Sequence, residues 1–380
     1  MKGLWARIAD YIRETDKFML LLCLFTTSYG CMAVLSATRY TESLKQFIVQ
    51  ALSMAVGCVA AIVISLFDFE TFMKRWYMVA AVGLIPVLLT FVIGFGPAGT
   101  DDKAWLNLGF TTFQPSELLK ACFMITFALH LSKVKDEINK LRNLILVCLH
   151  AAVPVMLIHM QGDDGTARVF AGMFVCMMWA SGVKYKYFII ALAVLIVLAP
   201  VIYFFIMNAD QQARIQTMFD FEADILGDGW QQYRGRVALS NGGFWGQGYL
   251  KGSLTQMGKA GVPEGYNDFI FVTIGEELGF FGAAVALILL GLITLRTLYI
   301  SKITNNFAGK LICVGFFGWL LAQIIMNIGM CLSILPVIGV TLPFFSAGGT
   351  SLSCLYLGVG LVLSVYMHRN SRTVYLHELR

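Results

Sequence analysis

The sequence predicts an all-α, polytopic integral membrane protein with about ten transmembrane helices and one long extracytoplasmic loop. Of its 380 residues, 58% are apolar and 13% are charged, about half the charged fraction that is typical of soluble domains. So few charged groups cannot cover a water-soluble fold of this size. The nine cysteines fall mostly in apolar stretches without a CxxC pair, so neither a disulfide framework nor a zinc site is expected.

Ten stretches are apolar for about 20 residues, the length that a helix needs to cross a bilayer. We expect the first of them to be a retained span, because it is too long for a signal sequence and lacks a small-residue cleavage site. The whole chain, 1–380, is expected to form one transmembrane domain. The predicted spans are 17–38, 45–67, 76–96, 115–132, 143–160, 166–183, 186–207, 269–295, 308–332 and 349–367.

The basic residues predict the orientation of these spans. Counted over alternate loops and both termini, 18 of the 28 Lys and Arg residues fall on one side of the membrane. Cytoplasmic loops carry such an excess of positive charge. The sequence therefore predicts a multi-pass protein of the bacterial cytoplasmic membrane with both termini in the cytoplasm.

The connection over about 208–268 is much longer than the others and is rich in Gly, Gln, Trp and charges of both signs. A loop of this length in a compact protein is usually either functional or disordered. Its many aromatic residues argue against disorder. We therefore expect the working site to lie in or beside this loop, where the outer leaflet meets water.

The segment FQPSELLK at 113–120 places charges at the start of the fourth span. Pro115 suits the first turn of a helix, and Glu117 and Lys120 then share one helix face. Two interpretations are open: a paired charge that merely tolerates burial, or a pair that lines a watery cavity, because ionisable groups in spans usually mark functional sites.

Three further polar segments permit both an ordinary and a functional interpretation. Asp163 and Asp268 each precede a predicted helix, where an aspartate serves as an N-cap. Arg214 and Arg236 lie in the long loop near glycines, so they are either surface residues or, with freed backbone N–H groups, ligands for a phosphate. Glu276 and Glu277 lie deeper in the eighth span and are expected to face protein or a cavity.

An uncharged segment at 335–351 contains two prolines and three glycines between two spans. Non-helical backbone at this depth is tolerated only where it is buried in protein or lines a cavity. The sequence therefore predicts a stiff, re-entrant type of segment here.

Several long motifs resemble the RodA/FtsW family of shape, elongation, division and sporulation (SEDS) proteins. They are FQPSELLK at 113–120, NDFIFVTIGEELGFFG at 267–282 and NIGMCLSILPVIGVTLPFFSAGGTS at 327–351, and they occur in the family's order. The resemblance covers essentially the whole chain. The NDFIF form and the short termini resemble the elongation branch, RodA. The segment QGDDGTA departs from the family's QPDLGTA by the additional Asp164, and Ala347 and Thr350 also depart from the usual pattern.

The resemblance implies a peptidoglycan glycosyltransferase that polymerises lipid II, an undecaprenyl-pyrophosphate-linked disaccharide peptide, for cell-wall elongation and cell shape. It also implies a class B penicillin-binding transpeptidase as partner. By motif position, Asp268 is the catalytic residue. The residues expected to bind substrate are Lys103, Trp105, Glu117, Lys120, Asp163, Arg214, Gln231, Arg236, Glu264 and Ser346.

An α-linked donor that yields a β-1,4 product is inverted, and inversion needs one base on the attacking side. We expect Asp268 to be this base, with its basicity raised by desolvation beside Phe269 and Phe271. Arg214 and Arg236, together with Lys103 or a divalent cation (Mg²⁺ or Mn²⁺), would neutralise the departing pyrophosphate. Two alternatives remain: a flippase for lipid-linked precursors, and an inactive scaffold for a transpeptidase.

Overall fold

The computed structural model describes residues 11–96, 102–109, 112–207, 209–219 and 228–370. Over these ranges, helices occupy all ten predicted positions, a short helix follows the second predicted span, and two more helices lie in the described parts of the long loop. The helices are α1 (Lys17–Ala37), α2 (Lys45–Leu66), the short α3 (Phe69–Lys74), α4 (Trp76–Ile93), α5 (Pro115–Lys133), α6 (Leu141–Met160), α7 (Asp164–Ala180), α8 (Tyr185–Val201), α9 (Ala209–Phe219), α10 (Asp228–Gly242), α11 (Ile270–Ile303), α12 (Phe307–Cys331) and α13 (Gly349–Met367). A π-helical turn, Ile202–Ile206, extends α8, and two short strands, β1 (Leu106–Asn107) and β2 (Thr112–Phe113), pair antiparallel between α4 and α5.

Eight of these helices are long and apolar enough to cross a membrane. The two other predicted spans, α5 and α7, differ for physical reasons. α5 carries Glu117, Lys120 and Lys133 but is buried along most of its length, and α7 has only 17 residues. A helix that faces protein on most sides can carry polar groups, because its neighbours satisfy them.

Small residues allow the central helices to approach closely. A Cβ added to Gly360 of α13 would lie 2.8 Å from the Ala61 Cα of α2, and one added to Gly318 of α12 would lie 3.0 Å from the Met173 Cα of α7. Close contact through small residues is typical of helix packing in membranes. α12 and α13 form the centre of the bundle, and α8 lies at its edge without a buried residue.

The connections between helices alternate between two ends of the bundle. At one end, called the site end below, the Lys103 amide donates to the Gln161 carbonyl at 3.0 Å, and the Thr350 hydroxyl donates to the Thr112 carbonyl at 2.7 Å. At the opposite end, the Asn306 side chain donates to Glu70 at 2.6 Å. Both ends of the described chain lie at this opposite end: the Tyr11 and Ser65 hydroxyls are 2.9 Å apart, and the Asn305 amide donates to the Arg369 carbonyl at 3.2 Å.

The predicted re-entrant segment is confirmed. Residues 332–348 are not helical, and they return the chain into the bundle with Leu342, Phe344 and Phe345 buried. Gly30 of α1 makes room for this backbone, since a Cβ there would lie 2.4 Å from the Phe344 carbonyl oxygen. The segment therefore runs through protein. Non-helical backbone needs this surrounding, because lipid offers no hydrogen-bond partners to its N–H and C=O groups.

The long loop folds back onto the start of α11. Its last part, residues 243–269, contains one 3-10 segment (Thr255–Ala260) and otherwise irregular backbone. Gly279 interrupts α11 with a φ of +67°, and a Cβ there would lie 2.3 Å from the Gly246 amide nitrogen. Only glycine adopts such a conformation without strain and permits this approach of two backbones.

Candidate functional site

Asp268 lies at the site end, two residues before α11 begins. The residue that caps this helix is Phe269, and no side chain caps it. The interpretation of Asp268 as a helix cap is therefore wrong. Its backbone carbonyl instead accepts a hydrogen bond from the Asn327 side-chain amide of α12 at 2.8 Å, and the same amide donates to the Val340 carbonyl at 2.7 Å. Asn327 thus fastens Asp268 to the re-entrant segment.

The Asp268 carboxylate is half-buried and lies beside the re-entrant segment. A Cβ placed on Gly339, whose φ is +69°, would lie 3.6 Å from Oδ2 of Asp268. Within the described parts of the chain, this carboxylate makes no hydrogen bond or ion pair. A buried or half-buried carboxylate without a partner is uncommon, since burial of an unpaired charge is costly. The group is therefore available to a ligand.

Its surroundings raise the basicity of Asp268. Burial of the carboxylate, and then the negative charges of Glu264 and Asp163, raise its pKa from 3.8 to about 7. Burial and the charges of Glu264, Tyr40 and Asp268 also raise the pKa of Tyr266. The predicted desolvation agrees with this direction, because Phe269 and Phe271 are buried. A carboxylate with a pKa near neutrality is a more effective general base than an ordinary aspartate.

Asp163 is an N-cap, as one interpretation predicted, and it also joins α5 to α7. Its Oδ1 accepts from the Thr166 amide at 2.9 Å, while its Oδ2 accepts from the Gln114 side chain at 2.7 Å and from the Ser116 hydroxyl at 3.4 Å. The additional acid, Asp164, accepts from Gln211 of α9 and contacts His159. The two neighbouring acids therefore face different partners, and Asp163 is the one close enough to Asp268 to shift its pKa.

Glu117 and Lys120 form the predicted pair, with Nζ and Oε1 2.8 Å apart and both side chains buried. The Ser351 hydroxyl donates to the other Glu117 oxygen at 3.2 Å, and the Lys120 ammonium lies 4.6 Å from the centre of the Trp319 ring. The structure supports the first interpretation, a pair enclosed by protein, rather than one that lines a watery cavity. Through these contacts the Glu117–Lys120 pair links α5 to α12 and α13.

Ser346 and Glu264 lie in the immediate surroundings of Asp268. The Ser346 hydroxyl donates to the Asn267 carbonyl at 2.8 Å and accepts from the Leu342 amide at 2.7 Å. It therefore ties the residue before Asp268 to the re-entrant segment. Glu264 is half-buried with a φ of +51°, and its carbonyl accepts from the Phe269 amide at 3.1 Å. Together they fix the turn that carries Asp268.

The other predicted residues lie further from Asp268. Lys103 and Arg236 are exposed, and Trp105 and Gln231 are half-buried. The charges that shift the pKa of Asp268 are both acidic, so the structure does not bring Lys103 or Arg236 next to it. The side chain of Arg214 lies outside the described residues. The roles of these residues stay predictions.

The described residues offer no protein-held metal site. They contain no group of three or more His, Cys, Asp or Glu side chains that could hold an ion. Among the described residues, Glu264 and Asp163 are the acids whose charges shift the pKa of Asp268, and Asp163 already accepts three hydrogen bonds from protein. The expected Mg²⁺ or Mn²⁺ therefore has no ligand set in this part of the chain and stays a prediction.

Sequence reasoning missed three polar residues that position the site. Gln50 donates to the Ser346 carbonyl at 2.9 Å, the buried Gln232 donates to the Leu335 carbonyl at 2.7 Å, and Asn327 holds Asp268 as described. Gln50 and Asn327 lie inside apolar runs, where an amide side chain must find partners. The sequence therefore indicates that both side chains are hydrogen-bonded within the protein, but it does not show to which residues.

Glu276 and Glu277 face protein, as predicted. Glu276 accepts hydrogen bonds from the backbone amides of Leu254 and Thr255 at 2.8 and 2.7 Å. Glu277 accepts from the Ser36 hydroxyl at 2.5 Å and from the Gln256 side chain at 2.9 Å. The two acids thus bind the end of the long loop to α1 and α11, beside the turn that carries Asp268.

The chain is similar over almost its whole length to known proteins. The peptidoglycan glycosyltransferase MrdB of Escherichia coli K12 is 30% identical over 373 residues, which cover 97% of this chain and 96% of MrdB. Stage V sporulation protein E of Bacillus subtilis 168 is 27% identical over 92% of this chain and 96% of its own length.

Two solved structures share the fold. A chain from a structure of a peptidoglycan synthase complex that coordinates polymerization and crosslinking is 25% identical, with a TM-score of 0.80 over 94% of this chain and 99% of that one. The rod shape determining protein RodA of Thermus thermophilus is 23% identical, with a TM-score of 0.70 over 94% of this chain and 98% of RodA. The cell cycle protein family FTSW_RODA_SPOVE matches residues 15–371. Motifs, fold and family match therefore agree that the chain belongs to the FtsW, RodA and SpoVE family of cell cycle proteins.

Proposed function

We propose that this chain is an inverting peptidoglycan glycosyltransferase that polymerises lipid II at the outer face of the cytoplasmic membrane. The observation that carries the proposal is the Asp268 carboxylate. It is half-buried, has no partner among the described residues, and has a pKa raised to about 7. The similarity to the peptidoglycan glycosyltransferase MrdB supports the reaction class.

In this mechanism Asp268 acts as the general base. It removes the proton from the 4-hydroxyl of the acceptor N-acetylglucosamine as that oxygen forms a bond to the anomeric carbon of the donor N-acetylmuramic acid. The bond from the anomeric carbon to the pyrophosphate oxygen breaks, and its electron pair leaves with undecaprenyl pyrophosphate. Attack from the face opposite the leaving group inverts the anomeric centre, so one base is sufficient. The proton remains on Asp268 until it passes to water.

The departing pyrophosphate needs positive charge, because a better-neutralised leaving group separates more easily. We keep Arg214, Arg236 and Lys103 as the predicted cations, since all three belong to site-end segments. Trp105, Gln231 and Glu264 stay the predicted contacts to the sugar or peptide portions. Glu117, Lys120, Asp163 and Ser346 are better explained as residues that position the site, given their protein partners.

The site end is proposed to face outward, with both termini in the cytoplasm. The segments at the opposite end and the two terminal segments together contain 18 of the 28 Lys and Arg residues, as expected for the cytoplasmic side. A class B penicillin-binding transpeptidase is the proposed partner. The similarity to a chain of a complex that coordinates polymerization with crosslinking supports this assignment.

The test is polymerisation of purified lipid II by full-length protein in nanodiscs, followed on gels that resolve glycan chain length. Asp268→Asn should lower the rate at least a hundredfold with an unchanged yield and with a Tm that at neutral pH is no lower than that of the wild type. Asp164→Asn is the matched control, an acid at the same end whose carboxylate contacts His159 and Gln211, and it should polymerise at close to the wild-type rate. Wild-type polymerisation by Asp268→Asn would refute the assignment of the base.

The flippase and scaffold alternatives are not favoured by the structure. A flippase needs a polar path through the bilayer, whereas the middle of the bundle is filled by large buried side chains such as Phe127, Phe316 and Trp319. A protein that acts only as a scaffold does not require an unpaired, half-buried carboxylate, which lowers its stability. Scoring lipid II movement across proteoliposomes in the same preparation would separate polymerase from flippase.

A further inference from the structure

Two adjoining clefts follow the seam between α1 and α11 at the site end. The inner cleft has a volume of about 190 Å³ and is lined by Tyr29, Met32, Ala33, Tyr249, Ile274, Glu277 and Leu278. The outer cleft has no internal space for a water molecule, so that only its rim can contact a ligand; it is lined by Ala37, Tyr40, Lys259, Glu264 and Tyr266, with Thr273 common to both clefts. We infer that this seam binds the polyprenyl pyrophosphate portion of a lipid-linked substrate, with the isoprenoid chain in the inner cleft and the pyrophosphate at Lys259. The inference rests on the proposed function and specifies where its lipid substrate enters.

The inner cleft offers an apolar surface that opens towards lipid. Met32 is 52% exposed on the outside of α1, whereas Ala33 beside it is buried and too small to fill the space. The hydroxyls of the two tyrosines are already hydrogen-bonded to backbone: Tyr29 donates to the Gly282 carbonyl at 3.1 Å, and Tyr249 donates to the Met32 carbonyl at 3.0 Å. Their rings therefore contribute apolar area, as a hydrocarbon ligand requires.

The acid in the inner cleft does not make the cleft polar. Glu277 accepts hydrogen bonds from the Ser36 hydroxyl, the Leu250 and Gly252 amides and the Gln256 side chain. Each of these donors belongs to α1 or to the end of the long loop. Because its oxygens are occupied, Glu277 serves the protein and leaves the hydrocarbon-binding surface to its neighbours.

The rim of the outer cleft carries one exposed positive charge, that of Lys259, while the acid Glu264 lines the same cleft. Lys259 is exposed at its rim, on the segment that Tyr40 covers: a Cβ on Gly258 would lie 2.5 Å from the Tyr40 ring. Arg234 donates to the carbonyls of Ala260 and Gly261 at 2.9 and 3.0 Å, directly after Lys259. Arg234 thus fixes the backbone beside Lys259, and the exposed Lys259 ammonium is the cation that a phosphate would contact.

The dimensions of the seam suit a lipid chain held at its head. Ala37 and Tyr29 are eight residues apart on α1, which corresponds to about 12 Å along a helix. The hydrocarbon core is about 30 Å thick, so the seam reaches from the outer interface almost to the middle of the membrane. An isoprenoid chain can follow it and continue into the bilayer past Met32.

The seam also leads to the reacting group. Glu264 lines the outer cleft, and its charge is the first of the two that raise the pKa of Asp268. Tyr266, in the same lining, has a pKa raised by burial and by Glu264, Tyr40 and Asp268. Lys259 is not among the charges that shift the pKa of Asp268, so a pyrophosphate bound there would lie on the far side of Glu264, and the sugar attached to it would extend to Asp268. An ordinary phospholipid would gain nothing from this position, whereas a substrate whose sugar is attached to the pyrophosphate would present that sugar to the base.

The test measures direct binding of a sugar-free polyprenyl pyrophosphate to full-length protein in nanodiscs. We expect saturable binding that neither inorganic pyrophosphate nor phosphatidylglycerol displaces and that polyprenyl alcohol displaces weakly. Lys259→Ala should weaken pyrophosphate binding at least tenfold and leave the alcohol unchanged. Lys251→Ala, an exposed lysine on the same loop outside both linings, is the matched control and should bind as the wild type does.

A second variant tests the chain-binding part. Ala33→Phe fills the inner cleft and should weaken binding of both polyprenyl ligands, while a photoreactive chain bound to the wild type should label Met32 or Tyr249. Wild-type affinity in Lys259→Ala, labelling elsewhere, or equal binding of phosphatidylglycerol would overturn the inference. Asp268→Asn should bind the probe normally. Loss of polymerisation without loss of binding therefore concerns the base, and loss of binding concerns the seam.

Discussion

The Asn327 side-chain amide donates to the backbone carbonyl of Asp268 at 2.8 Å, and this bond joins α12 to the turn that presents the candidate base. The same amide group donates to Val340 of the re-entrant segment. One buried side chain therefore fixes the distance between the base and the backbone beside it. A catalytic group must be held in this way if it is to be effective, because small displacements cost large factors in rate.

Asn327→Ala should lower the polymerisation rate more than tenfold and also lower the Tm. Each carbonyl left without its donor costs about 1–3 kcal/mol, and Asp268 would lose its anchor. Asn143→Ala is the control, because Asn143 also donates to a backbone carbonyl, that of Glu137, but is only half-buried and lies at the opposite end. A full rate in Asn327→Ala would show that the anchor is dispensable.

The raised pKa of Asp268 predicts a specific pH dependence. The base must be ionised, so the rate should rise with pH and level off above about 7, the pKa given by its surroundings.

The free energy of unfolding should change in the opposite direction and fall as the pH rises. Because the folded-state pKa lies above the unfolded value, the folded protein binds this proton more tightly, and the resulting stabilisation is fully present below about pH 4. It is lost as the pH rises through 7. Asp268→Asn should remove this part of the Tm profile.

Glu276 should be needed to keep the end of the long loop in place. Glu276→Gln replaces an acceptor oxygen by a donor in front of the Leu254 and Thr255 amides, so at least one of them loses its partner. We expect a lower Tm and faster amide exchange over residues 247–256. Glu137→Gln is the control: its pair with Lys140 is exposed, and such a pair contributes little. Unchanged exchange in Glu276→Gln would contradict the proposed role.

The buried pair predicts non-additive mutants. Glu117→Leu or Lys120→Met alone leaves an unpaired buried charge, which typically costs about 3–5 kcal/mol, so either variant should be made in low yield and should polymerise slowly. The double variant removes both charges and should recover most of the Tm and the rate. Recovery of the Tm without recovery of the rate would show instead that the pair takes part in binding substrate.

The helices could be predicted from the sequence because hydrophobic length is a local property. The end of α11 could not. Arg296 ended the predicted span at 295, yet its guanidinium pairs with Asp16 at 2.7 Å, and the helix continues to Ile303. The acids of the site could likewise be found from their position in apolar or glycine-rich runs. Their partners could not, because Gln50 and Ser346 are separated by almost 300 residues and meet only in the folded bundle.

Asp163 provides the most selective test of the electrostatics at the site. Its charge contributes to the raised pKa of Asp268, so Asp163→Asn should lower that pKa and move the acidic limb of the rate profile to lower pH. Asparagine is as good an N-cap as aspartate, so α7 should keep its cap. The amide nitrogen that replaces Oδ2 cannot accept from Gln114 and Ser116, so the Tm should fall modestly. Asp164→Asn, one residue further on, removes the same charge but contacts His159 and Gln211 instead, and its profile should remain that of the wild type. If both variants shifted the profile equally, the effect would reflect net charge at the membrane surface rather than the coupling of Asp163 to Asp268.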